Sequence, residues 1–131
     1  MILLDTCTII WEALTPKQLS AKAKAAIEKG NEEGAIYFAQ ISLWEIAMLI
    51  HKKRIQISCD YQTFIKLILD AKSYRLVGIN PTIAERAATF PNSINADPAD
   101  RLIAATAVEL DIPLVTADQN LQKSHLFKTI W

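Results

Sequence analysis

Short apolar runs and helix-like stretches alternate along this chain. The first run, Ile2-Leu3-Leu4, stops at Asp5, and a later one, Leu114-Val115-Thr116-Ala117, stops at Asp118. Brief apolar runs closed by polar or turn residues read as strands buried on both faces of a parallel sheet. Strands are predicted at 2–4, 35–38, 74–79, 114–116 and 127–130, and helices at 8–14, 19–29, 42–54, 61–72, 82–89 and 98–110, with a helical turn at 119–123. The second helix rests on the propensity of Lys22-Ala23-Lys24-Ala25-Ala26-Ile27-Glu28, with Gly30 and Gly34 marking its end and a turn. The 61–72 helix sets Phe64, Leu67, Ile68 and Ala71 on one stripe. Residues 90–96 read as a loop. Alternating β and α elements predict an α/β fold, a parallel sheet covered by helices on both faces. No repeat, low-complexity tract or long linker divides the chain, so residues 1–131 are expected to form one domain.

That pattern places acids with purpose. Asp5 and Asp118 each follow a predicted strand, Glu45 lies in the first turn of the 42–54 helix, and Asp97-Pro98-Ala99-Asp100 opens the 98–110 helix. Each has a structural explanation of its own. Asp5, Asp97 and Asp118 suit helix N-caps, Pro98 suits a first helical position, and Asp100 suits the positive end of a helix dipole. Ser42-Leu43-Trp44-Glu45 fits a capping box. Together they carry more. In a parallel layer, helices that follow strands begin at the carboxyl edge, where open α/β sheets bind ligands. Five carboxylates on one rim repel and raise one another's pKa. A hard divalent cation, Mg²⁺ or Mn²⁺, relieves that conflict, and carboxylate-held Mg²⁺ most often serves phosphate chemistry.

Composition narrows the field. Apolar residues make up 51% of the chain, and 14 basic residues balance 14 acidic ones, so no global basic field draws in nucleic acid. Cys7 and Cys59 lack metal or redox spacing and read as reduced; His51 and His125 are isolated, which argues against zinc. No signal peptide or membrane span is recognised, so a cytoplasmic protein is expected. The three glycines form no phosphate-binding loop. Haloacid-dehalogenase phosphatases need an acid where Cys7 stands, and receiver domains need an Asp after the middle strand, where Val77-Gly78-Ile79-Asn80 offers none.

The ordered set Leu3-Leu4-Asp5-Thr6, Ser42-x-x-Glu45, Asp97-Pro98-Ala99-Asp100-Arg101-Leu102-Ile103-Ala104-Ala105 and Val115-Thr116-Ala117-Asp118 resembles the PIN-domain ribonucleases, and within them the VapC-like toxins of toxin–antitoxin pairs. The resemblance covers essentially the whole chain. It implies a three-layer α/β/α sandwich around a mainly parallel sheet, and Mg²⁺- or Mn²⁺-dependent cleavage of RNA that leaves a 5′-phosphate. It also implies a homodimer, and a small antitoxin whose peptide blocks the acidic pocket. Asp5, Glu45, Asp100 and Asp118 match the four acids of the family and are expected to hold metal and perform catalysis. Asp97 matches an additional acid, expected as cap or supporting ligand. Thr116 is expected to bind a metal-held water or fix Asp118, and Thr6 to cap the first helix. Arg101 is open between substrate phosphate, Asp97 and solvent. Relatives often carry Asn, Ser or His at the position of Cys7, and a thiol is a poor Mg²⁺ ligand. The alternative reading is a PIN-like scaffold that binds RNA or protein without cutting, although such members usually lose one of the four acids.

Three further features have bland readings beside functional ones. Lys52-Lys53-Arg54 suits a helix C-terminus or an RNA backbone. The apolar surround of Ile41, Trp44, Ala47, Met48 and Leu49 suits core or a partner interface. Trp11 and Trp131 suit packing or base stacking.

Overall fold

The computed structural model describes residues 1–131. The chain runs β1 (Ile2–Leu4), α1 (Thr6–Leu14), a 3₁₀ turn (Pro16–Gln18), α2 (Ala21–Glu32), β2 (Ile36–Ala39), α3 (Ile41–His51), α4 (Tyr61–Ala71), β3 (Tyr74–Val77), α5 (Pro81–Thr89), α6 (Pro98–Leu110), β4 (Leu114–Val115), α7 (Gln119–Gln122) and β5 (Thr129–Ile130). The strands form one sheet in the order β3-β2-β1-β4-β5, and every pairing is parallel. This is the expected α/β/α sandwich.

Strand β1 is buried at all three residues because it lies mid-sheet with helices on both faces. Alternation divides its side chains. Ile2 and Leu4 join Ile36, Phe38 and Val115 in a core beneath α1, α2 and α4. Leu3 joins Ala39 and Leu114 in a second core with Ile83, Ile103 and Leu121. The order reverses at β1, whose neighbours are β2 on one side and β4 on the other. The carboxyl ends of β1 and β4 therefore flank the crevice where such sheets bind ligands.

Several local expectations change. Gly30 lies inside α2 rather than at its end. A Cβ there would sit 2.9 Å from Ile36 Cγ1 and 3.3 Å from Ile2 Cδ1, so glycine lets the helix press onto the sheet. Gly34 (φ +62°) makes the turn. On α4 the buried residues are Phe64, Ile65 and Ile68, whereas Leu67 is exposed. Helix α3 stops at His51, three residues early, because Lys53 adopts a left-handed conformation (φ 56°). Only Ser42 and Ile46 of α3 are buried, and Trp44 is 56% exposed, so α3 is no deep core helix. Trp11 stacks tilted on Trp131 with ring centroids 5.7 Å apart, which satisfies the packing reading.

Candidate functional site

Each rim acid is carried to the carboxyl edge by a recognisable local signal. Asp5 ends β1 and caps α1, its Oδ1 accepting the backbone N–H of Thr6 at 2.7 Å. Asp118 follows β4 and caps α7 through the N–H of Leu121 at 3.0 Å. Asp97 caps α6 through the N–H of Asp100 at 3.0 Å, with Pro98 next in the chain. Asp100 follows in the first turn of α6, which leads into β4 and so begins at that strand's carboxyl end. Glu45 stands one turn into α3, which follows β2.

The carboxylates meet. One oxygen each from Glu45, Asp97 and Asp100 lies within 4.8 Å of the others. Thr6 ties Glu45 to Asp5: its backbone caps onto Asp5 while its hydroxyl donates to Glu45 Oε1 at 2.5 Å. Thr116 ties Asp5 to Asp118, donating to Asp5 Oδ2 at 2.7 Å and accepting the Asp118 N–H at 3.1 Å. Asn95 ties Asp118 to Asp100, its Nδ2 donating to an oxygen of each at 2.8 and 3.0 Å.

Burial and mutual repulsion act on these groups. Asp5 is 8% exposed, and burial raises it above the ordinary carboxylate range against the hydrogen bonds of Thr116 and Thr6. Burial lifts Glu45 to about 7, with the charges of Asp100, Asp5 and Asp97 adding to the rise. Asp100 rises to about 6, again chiefly through burial and then through Asp5, Asp97 and Asp118. Burial of its sulfur against this rim, and then the nearby carboxylates, push the Cys7 thiol up to about 11, although the residue as a whole is exposed. A thiol so hard to ionise is unfit as a ligand. None of the four ion pairs in the molecule involves a rim acid.

Three expectations are corrected here. Thr6 is not the cap of α1; Asp5 is, and the Thr6 side chain turns to Glu45 and to Ser42 Oγ (2.8 Å). Ser42 and Glu45 form no capping box, because α3 starts earlier, at Ile41, and Thr6 claims both side chains. Arg101 neither pairs with Asp97 nor faces free solvent. It donates to the backbone carbonyls of Ala87 (2.9 Å), Phe90 (2.6 Å) and Asn95 (3.3 Å). That fastens the 90–97 loop to the end of α5. Asn95 itself has only a faint mark in the sequence: it follows Ile94, an apolar residue in a polar loop that proves 2% exposed.

The PIN domain family model matches residues 2–124. The chain belongs to the PIN-domain family. It is 38% identical to ribonuclease VapC22 of Mycobacterium tuberculosis over 133 aligned positions, spanning 99% of this chain and 98% of the relative. The same PIN fold is found in VapBC2 from Rickettsia felis bound to a DNA fragment from their promoter, with TM-score 0.74 and 14% identity across 98% of this chain and 97% of that one. A toxin–antitoxin complex from Klebsiella pneumoniae gives TM-score 0.65 and 19% identity across 95% and 92%. This PIN domain is therefore homologous end to end with a VapC ribonuclease.

Proposed function

We propose that this chain is a divalent-metal-dependent endoribonuclease and the toxin of a toxin–antitoxin pair. One observation carries the reading: five carboxylates converge at the switch point of a parallel sheet with no cationic side chain paired to any of them. The homology to a ribonuclease supports RNA as substrate.

The donor set is all oxygen and strongly anionic, which fits Mg²⁺ or Mn²⁺. Asp5, Asp100, Asp118 and Glu45 would hold the ion, with Asp97 close enough to Glu45 and Asp100 to support it. When bound, such an ion supplies the positive charge and Lewis acidity that phosphodiester hydrolysis needs. The chain's own residues supply the rest. Thr6 and Thr116 lock carboxylate orientations. Glu45, held by the Thr6 hydroxyl, is suited to bind the ion through water or to orient the attacking water. Residues 2–130, which contain both outer strands, act as one unit in this reading. No helix is long and apolar enough to cross a membrane, which is compatible with work on cytoplasmic RNA. The likeness to toxin–antitoxin complexes supports a small antitoxin as partner. Trp44 on α3, Leu76 on the edge strand β3 and Ile79 just beyond it are exposed apolar side chains that a second copy of the chain could cover. Nothing favours a non-catalytic binding module, since no acid of the set is missing.

The test is Mg²⁺-dependent RNA cleavage by Asp5→Asn and Asp100→Asn. Each should lower the rate by about a hundredfold or more, with the circular-dichroism spectrum unchanged. Full activity in both would overturn the assignment.

A further inference from the structure

Asn95 is the only residue whose side chain donates to two rim carboxylates at once. Its Nδ2 lies 3.0 Å from Asp100 Oδ2 and 2.8 Å from Asp118 Oδ2. Two bonds from a single nitrogen hold those oxygens at a set separation, although one acid belongs to α6 and the other to the β4–α7 junction. The amide cannot turn over. Reversed, it would aim its oxygen at two carboxylates and its nitrogen at the side-chain nitrogen of Asn120, which now donates to Asn95 Oδ1 at 3.1 Å. The backbone is held as well, because Arg101 donates to the Asn95 carbonyl. Asn95 is thus anchored at three points, and its two amide hydrogens occupy the space between like charges.

We infer that Asn95, oriented by Asn120, is a positioning residue that sets the spacing of Asp100 and Asp118 and so prepares the rim to take up a divalent cation. The inference rests on the metal-site reading above, but not on which nucleic acid is cut. Such outer partners orient ligands without entering the coordination sphere, and their loss typically weakens metal binding by about 10- to 100-fold. Asn120 gives an independent handle, because it is exposed and its side-chain amide donates to Asn95 rather than to either carboxylate.

The measurement is calorimetric titration of Mn²⁺ into the full chain, its Asn95→Ala variant and its Asn120→Ala variant. Asn95→Ala should bind about tenfold or more weakly. Asn120→Ala should show a smaller loss in the same direction. Cleavage by both should return towards the parent rate at saturating Mn²⁺, a recovery that a misfolded protein would not give. Should Asn95→Ala fold poorly, as circular dichroism would reveal, the Asn120→Ala titration decides alone. Parent-like Mn²⁺ affinity in Asn95→Ala, or in Asn120→Ala, overturns the inference. So does a cleavage defect that persists at saturating Mn²⁺. A parent protein that takes up no Mn²⁺ would instead sink the metal site itself.

Discussion

Carboxylates on the α1–α4 side of this molecule and those on the rim meet opposite surroundings. Glu12 of α1 pairs with Lys72 at 3.0 Å, both about one-fifth exposed, and Asp70 on α4 pairs with Lys66 at 2.6 Å. On the rim, five carboxylates gather with no Lys or Arg beside them. Supply does not explain this, for the chain has 14 basic residues. Arg101 even follows Asp100 directly, yet it turns its guanidinium to three backbone carbonyls. The contrast shows that rim charge is kept free of side-chain cations while hydroxyls, amides and backbone N–H groups hold it in place. Neutral donors fix a carboxylate without filling its charge, and leave it ready for an ion.

Four changes break or sharpen that contrast beyond the loss of cleavage expected for the rim aspartates. The largest effect should come from Arg101→Ala, which leaves three carbonyls without their donor and frees the 90–97 loop. A loss of about 2–3 kcal/mol in urea unfolding is expected, since hydrogen bonds to charged groups are among the stronger ones. A loss below about 0.5 kcal/mol would mean that the loop holds itself. Next comes pH. Folded Glu45 and Asp100 titrate near 7 and 6, above their ordinary values of 4.5 and 3.8. The folded state thus binds more protons than the unfolded chain between those limits. Stability from these groups is complete below about 4 and is lost as pH rises towards 7. In EDTA, the melting temperature should fall between pH 5 and pH 8, and Mn²⁺ should reverse the trend at the alkaline end. A melting temperature that rises with pH in EDTA would contradict this. Glu45→Gln, which keeps an acceptor for Thr6, should raise the melting temperature at pH 8 in EDTA by a few degrees and flatten the pH slope. The smallest effect belongs to Lys72→Met, at about 1 kcal/mol or less, because that pair is reached by solvent. Its cleavage rate should equal that of the parent.

Much of this architecture is legible in the amino-acid order because local chemistry and tertiary structure agree. Asp97-Pro98 starts α6 at the expected residue, with the cap in the side chain and the φ angle in the ring. The Asp5 and Asp118 caps were legible for the same reason, as was the all-parallel sheet built from short apolar runs. What escaped the sequence is what long-range contacts decide. Gly30 resembles a helix stop, but a helix pressed on a sheet also needs a residue without a side chain. Ser42-x-x-Glu45 has the spacing of a capping box, yet Thr6, far away in the chain, takes both groups. Arg101 beside an acid suggests an ion pair; only the fold reveals the carbonyls of Ala87, Phe90 and Asn95 within its reach. Asn95 is a loop asparagine until Asp118 and Asn120 arrive from a different part of the chain.

The central position of β1 has a consequence for synthesis. Strand β1 has one flank against residues 36–38 and the other against residues 114–115, which are made much later. Until translation passes the latter, Asp5 has no Thr116 to orient it, and the crevice has a single wall. A growing chain on the ribosome therefore carries Asp5, Glu45, Asp97 and Asp100 before the strand that assembles them, and the rim closes only after residues 114–118 have emerged.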